Sequence, residues 1–315
     1  MSDGVDIGLK PMGRRDDTAL RLIEKSWPSG KGLPSMPVLA GLISMPQWRK
    51  NACRAWLQNR RAPSVLLPYH GIRKLFHKDA VIAEGASPLF RVAPYVVFGA
   101  MVAAAAVIPS MGTSLPFRSA ADAIALVGLL AIARVFISLA AMDIGTAFGS
   151  LGARREMMVG FLAEPALLMV IFVASLISAT TALPLIAERI AQQEPALYPS
   201  LAFTAVAFTM VLLAENARIP VDNPATHLEL TMIHEAMLLE YSARHLALME
   251  WAAALKLFNY ACIGFALFVP WGASPDEGGL LSLAISVPAL VAKLAVAGVW
   301  LALLETVSAK LRVFR

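Results

Sequence analysis

Residues Ala121–Met142 read ADAIALVGLLAIARVFISLAAM, and this stretch decides the fold. Only Asp122 and Arg134 carry charge within it, and a membrane-spanning helix needs about 20 mostly apolar residues. The whole chain follows the same pattern, because 58% of its 315 residues are hydrophobic and 16% are charged. Soluble domains average about 45–50% apolar and about 25% charged residues. We therefore exclude an ordinary soluble globular protein and predict an all-α polytopic membrane protein.

The sequence predicts about six full transmembrane helices in one membrane domain, residues 49–315. The six segments are Leu89–Met111, Ala121–Met142, Met157–Pro184, Tyr198–Ala214, Arg244–Pro270 and Gly279–Leu304. Residues 1–48 form a separate N-terminal part, a polar head that ends in the short apolar segment Leu33–Trp48. Three prolines interrupt that segment, so we expect it to lie at the interface or to re-enter the membrane rather than span it.

Basic residues lie in the loops at one side of these spans. The stretch 49–78 contains eight lysines and arginines and no acid, and Gly145–Glu156, Glu215–His227 and the C-terminal tail also carry basic residues. Loops of this kind remain on the cytoplasmic side. We therefore expect a multi-pass protein of the cytoplasmic membrane with both termini cytoplasmic. The net charge of +5 then reflects membrane topology and not nucleic-acid binding.

Several charged residues fall inside the predicted spans, where each costs about 2.5–3.5 kcal/mol at the helix centre. They are Arg134, Glu164, Glu250, Lys256, Lys293 and, at a span end, Glu305. Interhelical ion pairs or side chains reaching for the interface would explain Glu305 and Arg134. For Glu164, Glu250, Lys256 and Lys293 we favour a proton relay, the usual role of such residues in pumps.

A second group of acids lies in Leu228–Tyr241, predicted as an amphipathic acidic helix. Glu229 and Glu240 are eleven positions apart and therefore differ by only about 20° around a helix. They would form an acidic path from the cytoplasmic loop into the membrane. A solvated helix face, or an ion pair between Glu240 and Arg244 four residues later, explains the pattern equally well.

The sequence offers no catalytic or metal-binding motif of its own. Cys53 and Cys262 form no CxxC pair, and His227, His234 and His245 lack the spacing of a zinc helix. There is also no glycine-rich nucleotide-binding loop. We therefore expect no cofactor on this chain, and any redox centre to belong to partner subunits.

Four long stretches carry a family resemblance. They are RAWLQNRRAPSVLLPYHGIRKLFHKD (54–79), ARVFISLAAMDIGTAFGSLGARREMMVGFLAEPALL (133–168), AENARIPVDNPATHLELTMIHEAMLLEYSAR (214–244) and ALLETVSAKLRVFR (302–315). Together they resemble the membrane subunit of energy-converting [NiFe] hydrogenases, the formate hydrogenlyase subunit 4 type, which is homologous to membrane subunit 1 of respiratory complex I.

This resemblance implies specific partners and sites. Cytoplasmic loops of the family cradle a soluble electron-transfer module, and acids lead from there towards antiporter-like membrane subunits. The implied docking residues are Arg60, Arg61, Arg154, Arg155, Glu215, Arg218 and Asp222, and the implied membrane acids are Glu164, Glu229 and Glu240. Iron–sulfur clusters, with or without a nickel–iron centre, would lie in the partners.

We therefore expect a non-catalytic membrane anchor and coupling subunit of a hydrogenase- or complex-I-related assembly, moving protons or sodium ions. Three alternatives stay open at this point. The chain could form the quinone site of a complex-I-like oxidoreductase, or anchor a partner that has lost its metal centre. It could also be a free-standing ion transporter, although the sequence shows no internal repeat of the kind typical of transporters.

Overall fold

A computed structural model describes residues 67–83, 85–110, 122–192, 199–218, 221–222, 233–271 and 280–307. Within these ranges the regular elements are helices, which confirms the predicted all-α fold class. They are α1 Leu67–Phe76, α2 Pro88–Val107, α3 Ala123–Asp143, α4 Ala147–Ser178, α5 Leu183–Gln192, α6 Pro199–Glu215, α7 His234–Leu238, α8 Ala243–Phe268 and α9 Leu280–Val307.

Five of these helices, α2, α3, α4, α8 and α9, are long and apolar enough to cross a membrane. The sixth predicted span corresponds to α6, which has only 17 residues. At 1.5 Å per residue it is about 26 Å long, short of the roughly 30 Å hydrocarbon core. The expectation of six full spans is therefore corrected to five full spans and one shorter apolar helix in the described part of the chain.

The central helices α2 and α8 run parallel to each other and carry much of the buried core. Near one end the Tyr241 hydroxyl donates a hydrogen bond to the Phe90 carbonyl, and further along the Asn259 amide donates to the Met101 carbonyl. Helix α3 runs in the opposite direction, since Asp143 at its end accepts a hydrogen bond from the Ser87 backbone N–H before α2. Apolar side chains from these three helices form one continuous buried cluster.

Helix α4 begins ten residues earlier than the predicted third span. The stretch Gly145–Glu156, expected as a loop, contains only a short connection before the helix starts at Ala147. No proline follows Thr146 until position 165, and that proline is accommodated within the helix. Arg154, Arg155 and Glu156 are therefore helical, and the loop prediction for them was wrong.

Helix α6 ends half-way along α8 and not at the membrane surface. The two helices are antiparallel, with the Phe208 ring packed where Gly264 has no side chain. The last residue of α6, Glu215, contacts Lys256, which is about 20 Å along α8 from its first residue. The backbone after Glu215 is therefore non-helical at depth, which membranes tolerate only where protein or a cavity surrounds it.

The short helix α7 fills part of this space. Its approach to α4 depends on Gly152, because a Cβ there would come within 2.9 Å of the Ile233 carbonyl oxygen and 3.1 Å of the Ala236 side chain. Helix α5, in a stretch expected as an outer loop from Ile186 to Leu197, is a helix through Gln192. The segment Leu33–Trp48, Arg60, Arg61 and Glu229 lie outside the described residues.

Candidate functional site: a buried charge cluster

Arg134 lies near the middle of α3 and is only 6% exposed. Its side chain crosses the surface of α4 at Gly160, where an added Cβ would collide with the guanidinium group and with Cδ. The glycine therefore provides the room in which a long cation fits between two packed helices. A charge at this depth is stable only when acidic side chains surround it.

Three carboxylates from two helices surround Arg134. Its Nη1 donates a hydrogen bond to Glu164 Oε1 at 2.7 Å, and its Nη2 pairs with Glu215 Oε2. The third acid, Glu156, is more distant, with 3.8 Å between Arg134 Nε and Glu156 Oε1. Glu156 is therefore the most loosely held of the three carboxylates.

Lys256 on α8 completes the cluster. Its Nζ lies 3.1 Å from the same Glu215 oxygen that pairs with Arg134, and the Glu215 side chain is 1% exposed. We define the charge cluster as Arg134, Glu156, Glu164, Glu215 and Lys256. It holds three acids and two bases, so one negative charge lacks a counter-charge within it. Uptake of one proton or one monovalent cation would neutralise the group.

A small cavity of about 20 Å³ adjoins this cluster. Arg134, Glu156 and Lys256 line one part of it, and His234 at the start of α7 lines another. A volume of this size accommodates about one water molecule. The cavity therefore lies between the cluster and the start of α7.

His234 is held in its neutral form. Burial, assisted by the positive charges of Lys256 and Arg218, lowers the pKa of His234 to about 4. A neutral imidazole both donates and accepts hydrogen bonds. It can therefore donate at one ring nitrogen and accept at the other without adding a positive charge beside Lys256.

Asp222 holds the start of α7 in place from the side of the preceding loop. Its Oδ2 accepts hydrogen bonds from the backbone N–H groups of Ile233 at 3.1 Å and His234 at 3.2 Å. The carboxylate is buried and satisfies two backbone donors at the start of α7. Arg218 is also largely enclosed, and this burial lowers its pKa while the charge of Glu305 opposes the shift.

The structure brings together only some of the ion-coupling residues predicted from sequence. Glu164 and Lys256 belong to the charge cluster, whereas Lys293 lies towards the far end of α8, where its Nζ donates to the Val269 carbonyl at 2.7 Å. Glu250 and Glu240 are exposed and lie outside the cluster. Their part in ion transfer, like that of Glu229, stays a prediction.

The predicted docking residues also divide into two groups. Arg154 is exposed and Arg155 partly exposed on the first turns of α4, near the end where α8 begins. Glu215 and Asp222, in contrast, are buried among the ion pairs and helix-capping contacts described above. Glu215 and Asp222 therefore have internal partners, and the docking role of the two arginines stays a prediction.

Sequence reasoning missed Glu156 because it assigned this residue to a loop. A usable signal was present in the spacing Gly152, Glu156, Gly160, Glu164, one residue every four positions. On a continuous helix such residues follow one gently turning face. The alternation of glycine and glutamate on that face would have indicated a site where a partner helix inserts a bulky cation.

Comparisons with known proteins show the family of this chain. The family model described as NADH dehydrogenase matches residues 33–315. The chain belongs to the NADH dehydrogenase family. It is 32% identical over 283 residues to formate hydrogenlyase subunit 4 of Escherichia coli (strain K12), covering 88% of this chain and 86% of that relative. It is 34% identical over 242 residues to hydrogenase-4 component C of the same organism, covering 76% and 74%.

One solved structure shares the fold of this chain. A chain of the membrane-bound sulfane sulfur reductase, an archaeal respiratory membrane complex, matches with a TM-score of 0.72. The match has 22% identity and covers 87% of each chain. The resemblance inferred from the four sequence stretches is thereby confirmed, and the protein is a multi-pass membrane subunit of an energy-converting complex. Within the described ranges, no three His, Cys, Asp or Glu side chains are placed to hold a metal ion.

Proposed function

We propose that this chain anchors a soluble electron-transfer module to the membrane and couples electron transfer to ion movement through the charge cluster. The observation that carries the proposal is the set of three carboxylates, two of them buried, around Arg134 and Lys256. Keeping five charged groups at membrane depth is costly, and intramembrane ionisable residues are usually retained for transport or proton transfer.

The odd charge count suggests how the cluster works. With Glu215 held by both bases and Glu164 by Arg134, the loosely held Glu156 is the acid best placed to take up an ion from the adjoining cavity. An ion bound there weakens the attraction of Arg134 for Glu156 and leaves its contacts with Glu164 and Glu215. Release towards Glu164 then restores the original charge distribution.

Glu164 offers the transferred ion a route out of the subunit. Its side chain is 35% exposed at the membrane-facing surface while it still bonds to Arg134. An ionisable group in such a position needs either another protein or water next to it. We propose that an antiporter-like membrane subunit covers Glu164 and receives the ion.

The relatives indicate which soluble partners to test. Two of them are named as components of a formate hydrogenlyase and of hydrogenase-4. We propose a hydrogenase-like module carrying iron–sulfur clusters as the partner, with Arg154 and Arg155 in its docking surface together with Arg60 and Arg61. We propose that the basic end of α4 and both chain termini lie on the cytoplasmic side of the inner membrane, where basic loops remain.

The coupling role is tested with Glu164→Gln in the intact complex reconstituted into vesicles. Electron transfer and ion uptake are measured in parallel, with Glu188→Gln on α5 as a matched control outside the cluster. We expect Glu164→Gln to retain electron transfer and to lose most ion uptake, and the control to retain both. Wild-type ion uptake per electron in Glu164→Gln would refute the proposed exit route.

A further inference from the structure

Helix α1 separates basic and apolar side chains onto different faces. Its half-buried positions are Pro68, Tyr69, Ile72 and Leu75, spaced at three to four residues towards the helices behind it. The exposed basic positions are His70, Arg73 and Lys74 on α1, with His77 and Lys78 directly after its last residue. Such a separation is typical of helices that lie in the plane of a membrane interface.

Contacts with α8 place this helix at the membrane boundary. Shortly after α1, the Val81 backbone N–H donates a hydrogen bond to the Ser242 hydroxyl at 2.9 Å, and that hydroxyl donates to the Val81 carbonyl at 2.6 Å. Ser242 immediately precedes α8. The Phe76 ring meets the Trp251 ring edge to face, with centroids 6.4 Å apart. Helix α2 begins at the same end of the structure, so α1 borders the surface from which two spans enter the membrane.

Exposed apolar residues stand directly beside the bases. Leu67 is 56% exposed, Phe76 40% and Val81 41%. Asp79 is the acid closest in sequence to the basic face, and it is also exposed. A basic surface bordered by exposed apolar side chains matches the headgroup region of a bilayer, where charge and hydrocarbon meet within a few ångströms.

We propose that α1 binds the phosphate headgroups of anionic phospholipids through Arg73, Lys74 and Lys78. Leu67 and Phe76 would extend into the acyl-chain boundary beside the bound headgroups. Charge complementarity favours anionic over zwitterionic lipid, because each basic residue at an anionic surface changes the affinity by about fivefold. This surface is separate from the charge cluster, so the inference does not depend on the ion-coupling role.

Hydrogen exchange tests the proposal in the intact complex. The complex is reconstituted into nanodiscs of pure phosphatidylcholine or of phosphatidylcholine with phosphatidylglycerol, and exchange is compared for amides within residues 67–76. Phosphatidylglycerol should slow this exchange by about fivefold or more. The double variant Arg73→Gln/Lys74→Gln should lose the effect, and Arg73→Lys should keep it.

A variant at a distant base controls for overall charge. Arg189→Gln removes an exposed positive charge from α5, and it should leave the lipid effect on α1 unchanged. Equal exchange in both lipid compositions would overturn the proposal, as would an equal loss in the control variant. Full protection in phosphatidylcholine alone, lost when the soluble subunits are stripped, would assign α1 to a protein partner instead.

Discussion

Removal of Arg134 should destabilise the folded chain more than removal of any exposed charge. In Arg134→Met, Glu156 and Glu164 lose the cation that faces them, while Glu215 keeps Lys256. Breaking a buried ion pair by removing one partner costs about 3–5 kcal/mol. Total stabilities of domains are typically about 5–15 kcal/mol, so this loss would take a large share.

The assay is unfolding of the purified chain in lipid bicelles by titration with dodecyl sulfate. The control Arg154→Met removes an exposed arginine and should change the unfolding free energy by less than about 0.5 kcal/mol. The triple variant Arg134→Met/Glu156→Gln/Glu164→Gln should recover much of the loss, because it removes the acids together with their cation. An Arg134→Met chain as stable as the wild type would refute the charge-cluster reasoning.

Two further predictions follow from the same packing. Gly160→Ala inserts a methyl group into the space of the Arg134 side chain. It should lower the unfolding free energy by about 1–3 kcal/mol in the same assay. The control Gly128→Ala meets open space and should be neutral or slightly stabilising. His234 has a folded-state pKa of about 4, below its ordinary value of about 6.5. Between these values the unfolded chain binds more protons, so the unfolding free energy should fall as pH drops from about 6.5 to about 4. In His234→Gln that part of the pH dependence should disappear, and an unchanged pH profile would contradict the burial of a neutral imidazole.

The sequence was sufficient to predict where the apolar helices lie, because hydropathy and charge are properties of each segment alone, but it did not show that α6 is too short for a full span. All six predicted apolar segments correspond to helices, and the family resemblance was confirmed. The length of α4 was misjudged because two glycines and then two arginines occur in its first three turns, which resembles a loop when position 147 is not recognised as a helix start. The additional helical turns include Glu156, which the prediction had assigned to a loop.

The charge cluster could not be predicted from sequence in the same way. Its members come from α3, α4, α6 and α8, and the pairing depends on how deep each helix lies relative to the others. Glu215 appeared to belong to a surface loop because it follows an apolar segment of nearly full length. Only the antiparallel packing of α6 on α8 shows that this end lies beside Lys256.

The number of ions taken up per electron in Glu156→Gln tests the central claim most directly. Glutamine keeps the size of the side chain and removes the charge that the cluster leaves unbalanced. The measurement uses the reconstituted complex, with electron transfer and ion uptake recorded in the same vesicles and Glu188→Gln as control. We predict that electron transfer continues in Glu156→Gln while ions per electron fall well below the wild-type ratio. A wild-type ratio in this variant would contradict the assignment of the cluster as the coupling element.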